Sequence, residues 1–176
     1  MFEHPQIGLD TQCFSYLIDA MMGVDRPVDT LSSQRIALLR IYLYLPGTFW
    51  ITETVQKECS AIRNPLRVDL HHSFTQSLFG VLSSTNQSAV LTRAAILSSV
   101  HTGKNDCQIL SEAEDVGHIV LLTFDKKFVK RLSFETGIKI VEPLQYWTEL
   151  GIPQGIEPNK VPSFDNPLSK QSWWRW

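Results

Sequence analysis

Apolar residues change their spacing along this chain in a way that marks strands alternating with helices. Residues 6–9 are short and mostly apolar, and from Asp10 onward Phe14, Leu17, Ile18 and Met21 recur at helical spacing, which predicts a strand followed by a helix. A break over Gly23–Asp29, carrying Pro27, precedes a second helix over 31–45, where Leu31, Ile36, Leu39, Tyr42 and Leu43 recur until Pro46 and Gly47 end it. Phe49–Ile51 is a brief apolar run, after which Thr52 is placed to cap a helix bearing Val55, Glu58 and Ile62. Residues 66–100 predict two helices parted by a loop at Ser83–Asn86. Gly103–Asn105 then introduce another helix, with Asp106, Ile109, Leu110 and Ala113 on one stripe.

The run Ile119–Leu122 is unbroken and β-branched at its start, the pattern of a parallel strand buried on both faces. A helix over Asp125–Ser133 and a short strand at Ile138–Val141 follow. This alternation predicts an α/β fold, a three-layer α/β/α sandwich around a central, mainly parallel sheet, occupying residues 1–150. Beyond it, Pro153, Pro158, Pro162 and Pro167 interrupt regular structure, and the chain ends Trp173, Trp174, Arg175, Trp176. Residues 151–176 are therefore expected to form an irregular C-terminal tail. Its aromatic rings could stack on unpaired bases, join a partner subunit or dock on their own domain. Self-docking is favoured, because a tail exposing three tryptophans would be poorly soluble.

Composition narrows the classes. A chain of 176 residues with 43% hydrophobic and 19% charged residues can bury one sizeable core and is not disordered. The formal charge of −2 argues against tight duplex binding, but Lys126, Lys127, Lys130 and Arg131 crowd just after Asp125. That patch is either a solvated helix face or a surface that steers a phosphate backbone. Cys13, Cys59 and Cys107 are odd in number and lack CxxC spacing, so neither disulfides nor structural zinc is indicated, and a reducing cytoplasm fits. The N-terminus MFEHPQIGLD has no basic segment followed by an apolar run, and no apolar stretch approaches the ~20 residues that span a bilayer. Export and membrane insertion are not expected.

The acids carry the chemistry. Asp10 and Asp125 each sit where a predicted strand ends and a helix begins, at the sheet edge that borders ligand crevices in parallel α/β folds. Each could equally be a helix N-cap. Glu58 shares its stripe with Val55 and Ile62, and Asp106 heads an apolar stripe, so both point inward, although Asp106 could also cap its helix. Glu53 shares its face with Gln56, Lys57 and Ser60 and is set aside as solvent-facing. Carboxylates gathered in one place repel one another, and a divalent cation is the natural remedy. Oxygen ligation with no Cys or His at compatible spacing favours Mg²⁺ or Mn²⁺. The five histidines, His71 and His72 among them, are expected at the surface.

Residues IGLDTQCFSYL, WITETVQKE, KNDCQILSEAE and IVLLTFDKKF resemble, in order and spacing, the four acidic motifs of the PIN-domain nucleases, over about residues 6–148. The resemblance implies that Asp10, Glu58, Asp106 and Asp125 carry the metal-binding, catalytic carboxylates. Thr11 and Thr123 would supply supporting hydroxyls, and Lys126 and Lys127 would contact RNA. It further implies a Mg²⁺- or Mn²⁺-dependent endoribonuclease, in many members a toxin held inactive by a small antitoxin protein, and commonly a homodimer. The chain departs from the compact toxins by its longer helical middle and its proline-rich tail. A catalytically silent PIN-like module that binds RNA or protein is the alternative, against which the intact acids count. An aspartyl-phosphate phosphatase would place a second acid two residues after the first, which the sequence DTQC lacks.

Overall fold

The computed structural model describes residues 6–24 and 28–176, so the reading of the first five residues and part of the Gly23–Asp29 break lie outside the described residues. Five strands form one wholly parallel sheet: β1 (Ile7–Leu9), β2 (Phe49–Thr52), β3 (Phe79–Leu82), β4 (Val120–Leu122) and β5 (Lys139–Val141). Their order is β3-β2-β1-β4-β5. Helices α1 (Thr11–Met21), α2 (Ser32–Tyr44), α3 (Glu53–Ser60), α4 (Pro65–Leu78), α5 (Gln87–Leu97), α6 (Lys104–Asp115), α7 (Lys126–Leu132) and α8 (Pro143–Leu150) flank it. The predicted three-layer sandwich is the observed architecture. The chain leaves β1 towards β2 and β3 on one side and returns to β4 and β5 on the other, so the strand order reverses between β1 and β4. Leu9, Leu121 and Leu122 are fully buried, as central strands covered on both faces require.

Two elements differ from expectation. Phe79–Leu82, expected within a helix, is the edge strand β3. Its four residues are too few to show a period of two after the long helix α4, and three of them are only half-buried, so alternation is weak. Gly80 marks the strand instead: a Cβ there would overlap the ring of Trp50 on β2, its partner in register. Thr52 does occupy the N-cap of α3, but its hydroxyl makes no capping bond and is buried without a hydrogen-bond partner among the described residues. The capping acceptor comes from α6, as described below. The sequence pattern assigned no element to Pro143–Leu150, which forms α8.

The segment after Gly151 has one short 3₁₀ turn, Pro167–Lys170, and docks on its own domain. Trp174 is fully buried, donates its indole N–H to the Leu168 carbonyl at 2.9 Å, and shares with Leu168 the hydrophobic core of the domain. Arg40 of α2 donates to the carbonyls of Trp174 and Arg175 at 3.1 and 2.9 Å and lies over the Trp176 ring. Lys160 donates to the Tyr42 and Leu45 carbonyls at the C-terminal end of α2, at 3.1 and 2.6 Å. Because Trp174 fills the core, Trp174→Ala is expected to destabilise the protein by about 3–5 kcal/mol in urea unfolding. A loss below about 1 kcal/mol would show the tail to lie outside the cooperative unit.

Candidate functional site

The pairing of β1 with β4 sets Leu9 opposite Leu122, so the residues that follow these strands emerge side by side. Asp10 donates its backbone N–H to the Leu122 carbonyl at 3.1 Å, and Thr123 donates its hydroxyl to Asp10 Oδ2 at 2.5 Å. Asp10 is only 6% exposed and Thr123 is fully buried. The other Asp10 oxygen, Oδ1, accepts from the Cys13 N–H at 2.7 Å and caps α1. Thr123 Oγ1 also accepts from the Asp125 N–H at 3.0 Å. Asp125, half-buried, caps α7 through Oδ1, which accepts from the N–H groups of Lys127 and Phe128 at 2.6 and 3.2 Å. Capping and a place at the sheet's open edge therefore coexist in Asp10 and Asp125, one carboxylate oxygen serving the helix.

Glu58 is half-buried on α3, facing the protein body as its stripe predicts. It accepts hydrogen bonds from the Thr11 hydroxyl and the Asn105 amide, the neighbours of Asp10 and Asp106. Asp106 lies in the first turn of α6 but does not cap it, since Gly103 holds that position. Its Oδ2 instead pairs with His101 Nε2 at 2.7 Å. What fixes α3 against α6 is Glu112, 1% exposed, which accepts from the Thr54 N–H at 3.0 Å and the Thr54 hydroxyl at 2.7 Å. Glu112 thus caps the start of α3 from across the interface. Sequence reasoning missed it, because nothing in the run SEAED distinguishes it from its neighbours Glu114 and Asp115.

The four acids are linked through intermediate side chains rather than gathered at one point. Thr123 joins Asp10 to the backbone of Asp125, and Glu58 reaches the residues next to Asp10 and Asp106. Among the described residues, no three His, Cys, Asp or Glu side chains lie close enough together to hold a metal ion between them. The Asp10 carboxyl is perturbed chiefly by its own burial. Burial raises the Asp10 pKa to about 6; the hydrogen bonds from Thr123 and Cys13 oppose that rise, and the negative charge of Asp106 adds to it. The donor chemistry, carboxylate and hydroxyl oxygens, is of the kind a hard divalent cation takes, but among the described residues these groups do not close into a set that would hold one.

Other assignments are revised by the structure. His71, His101 and His118 are buried, not at the surface, with His71 edge-on to Phe14 and His101 stacked on Phe128. Glu53 is half-buried rather than solvent-facing. The cysteines are free and buried, and burial raises the Cys13 and Cys59 thiols, the latter to about 11, which suits core packing and not thiolate ligation. Lys126, Lys127, Lys130 and Arg131 are exposed, as a solvated patch beside Asp125. A cleft of about 260 Å³ abuts the site, lined by Thr11, Gln12, Ser15, Tyr16, Arg35 and Phe124 among others.

No protein-family profile and no curated protein sequence matches the chain. Among solved structures, a chain of the VapBC2 complex from Rickettsia felis, bound to a DNA fragment from their promoter, aligns with a TM-score of 0.49 and 16% identity. The alignment covers 77% of this chain and 96% of that one.

The raised Asp10 pKa has a definite pH signature in metal-free solution. Between about pH 4 and 6 the unfolded chain releases this proton while the folded one retains it, so stability falls as pH rises through that window. Above it, the ionised, buried carboxylate costs about 3 kcal/mol, at 1.36 kcal/mol per pKa unit. Asp10→Asn keeps an acceptor for Cys13 and removes the charge. It is expected to be more stable than wild type by up to about 3 kcal/mol at pH 8, with the difference gone below about pH 4, in chelator-treated urea titrations.

Proposed function

We propose that this chain is a PIN-like, divalent-metal-dependent endoribonuclease, acting on single-stranded or structured RNA at Asp10, Glu58, Asp106 and Asp125. The observation that carries the reading is Asp10: a carboxylate 6% exposed, at the open edge where the sheet order reverses, with its pKa raised by burial to about 6. A fold maintains such a group at a cost in stability, and strongly perturbed acids concentrate at functional sites. The order of the four acidic motifs adds support.

Asp10 and Asp106 would hold Mg²⁺ or Mn²⁺, with Glu58 and Asp125 completing the oxygen set. When bound, such an ion lowers the pKa of a water and neutralises charge building on the phosphate. Thr123 orients Asp10, and Thr11 orients Glu58. Lys126 and Lys127, exposed at the start of α7, steer the RNA backbone. Residues 1–150 form the nuclease domain and 151–176 its docked tail. A small antitoxin-like protein and a second copy of the chain are the proposed partners, and the cytoplasm the proposed compartment; among the described residues no helix is long and apolar enough to cross a membrane.

A second reading rests on one observation. Glu58 is engaged by Thr11 and Asn105, and Asp125 by the start of α7, and no three acids stand at metal-holding distance among the described residues. That arrangement favours a silent PIN-like module that binds RNA or protein. Two measurements separate the readings. Asp10→Ala should lower Mn²⁺-dependent RNA cleavage by roughly 10³-fold, the equivalent of several kcal/mol of metal-borne stabilisation; an unchanged rate in a folded sample sinks the nuclease assignment. Mn²⁺ at a hundred times its dissociation constant should stabilise wild type by about 2.7 kcal/mol. Absence of any shift at millimolar Mn²⁺ selects the silent module.

A further inference from the structure

We infer that the outer face of α7 and the turn that closes it form a binding track for single-stranded RNA, on which Phe134 stacks an unpaired base; this rests on the RNA-acting reading above but on no metal. Three cations supply the charge. Lys127, Lys130 and Arg131 recur three and four residues apart, so they share one helical face, and all three are exposed. None of them has a carboxylate within ion-pairing distance among the described residues. Phe134 continues the same spacing into the turn and is 91% exposed. Within the same segment Phe124 and Phe128 are buried, so the core takes two of the three rings and leaves the one beside the cations in solvent.

The backbone that presents this ring is pinned on both sides. Ser133 donates its N–H and its hydroxyl to the Val129 carbonyl at 3.2 and 2.6 Å, and the Glu135 N–H donates to the Leu132 carbonyl at 3.0 Å. The Glu135 carbonyl accepts from the Arg93 guanidinium, which is itself paired with Glu114 at 2.8 Å. A ring carried on a fixed turn binds with less ordering cost than one on a mobile loop. Charge complementarity selects the occupant: three cations without carboxylate partners favour a polyanion, and a lone ring among them is a flat face, not the contiguous apolar patch that marks protein contacts. The acid beside the ring in sequence, Glu135, interacts with the Arg93 charge. A duplex keeps its base faces stacked inside, whereas a single strand offers both a base for the ring and phosphates for the cations. The track starts at the candidate acids, because the Lys127 N–H donates to Asp125 Oδ1 at 2.6 Å.

The test follows the fluorescence anisotropy of a labelled oligouridylate, alone or annealed to oligoadenylate, on titration with the full-length protein in chelator. The expected result is tighter binding of the single strand than of the duplex, weakened about 5–150-fold in Phe134→Ala, the worth of one stacked base, with melting as in wild type. Phe134→Tyr should restore the affinity. Phe164→Ala, which removes an equally exposed ring from the tail, should leave it unchanged. Lys130→Gln combined with Arg131→Gln should lower the slope of log affinity against log salt by about 1.4, at about 0.7 per phosphate. Unchanged binding in Phe134→Ala, equal losses in Phe134→Ala and Phe164→Ala, or an unaltered salt slope overturns the proposal. So does a self-association that Phe134→Ala abolishes while RNA binding stays at the wild-type level, which gives the ring to a protein contact. If Phe134→Ala fails to fold, Phe134→Leu against Phe134→Tyr makes the same comparison. Wild type that binds no single-stranded RNA at low salt overturns the RNA-acting reading itself, an outcome distinct from intact binding that ignores Phe134.

Discussion

The register between β1 and β4 is the constraint on which the rest of this structure depends. With Leu9 opposite Leu122, the backbone of Asp10 still bonds to the sheet while its side chain meets Thr123, the first residue past the neighbouring strand. A slip of one residue would turn every side chain of β1 to the opposite face and take Asp10 away from Thr123. That register is secured on both sides, because β1 is paired with β2 as well as β4 and all three strands are buried between helices. The reversal of strand order at this pair lets α1 and α7 diverge, which opens the edge where the acids stand.

Positions farther from that pair are set by polar ties between helices. Glu58 lies on a helix of only eight residues, too short to be stable alone. Its placement depends on tertiary support, which the Glu112–Thr54 contact supplies at the first turn. Burying Glu112 is tolerable because three donors satisfy it, the third being the Gln108 amide at 3.1 Å. Asp10 is different. Its hydrogen bonds do not offset desolvation, and its pKa stays raised to about 6. The contrast separates a buried acid that serves the fold from one that strains it.

Much of this was legible in the sequence. Continuous apolar runs marked the central strands, since burial on both faces erases alternation, and the residues directly after Leu9 marked a strand-to-helix junction. The stripe of Val55, Glu58 and Ile62 correctly turned Glu58 towards the protein body. What could not be read depended on distant partners. Phe79–Leu82 is a strand through its pairing with all four residues of β2, where Trp50 lies across Gly80. Glu112 matters because Thr54, far away in sequence, needs an acceptor. The histidines were misplaced for the same reason: His101 and His71 are buried by Phe128 and Phe14, contacts that no local period encodes.

The tail changes how the site is approached. A groove of about 360 Å³ is lined by Pro167, Leu168, Gln171 and Trp173 of the tail together with Tyr16 and Arg35. Those last two residues also line the cleft of about 260 Å³ that reaches Thr11 and Phe124 beside the acids. Tyr16 is held edge-on to Phe124 at 6.2 Å and carries the Arg35 guanidinium over its face at 5.7 Å. The two spaces thus meet at one aromatic and one cationic side chain. Trp174 anchors the tail in the core, so the wall that the tail gives this groove is tied to the domain. Arg35 is itself paired there with Asp29, its guanidinium donating to both carboxylate oxygens at 3.0 and 2.9 Å, so the junction of the two spaces is an ion pair packed on an aromatic face.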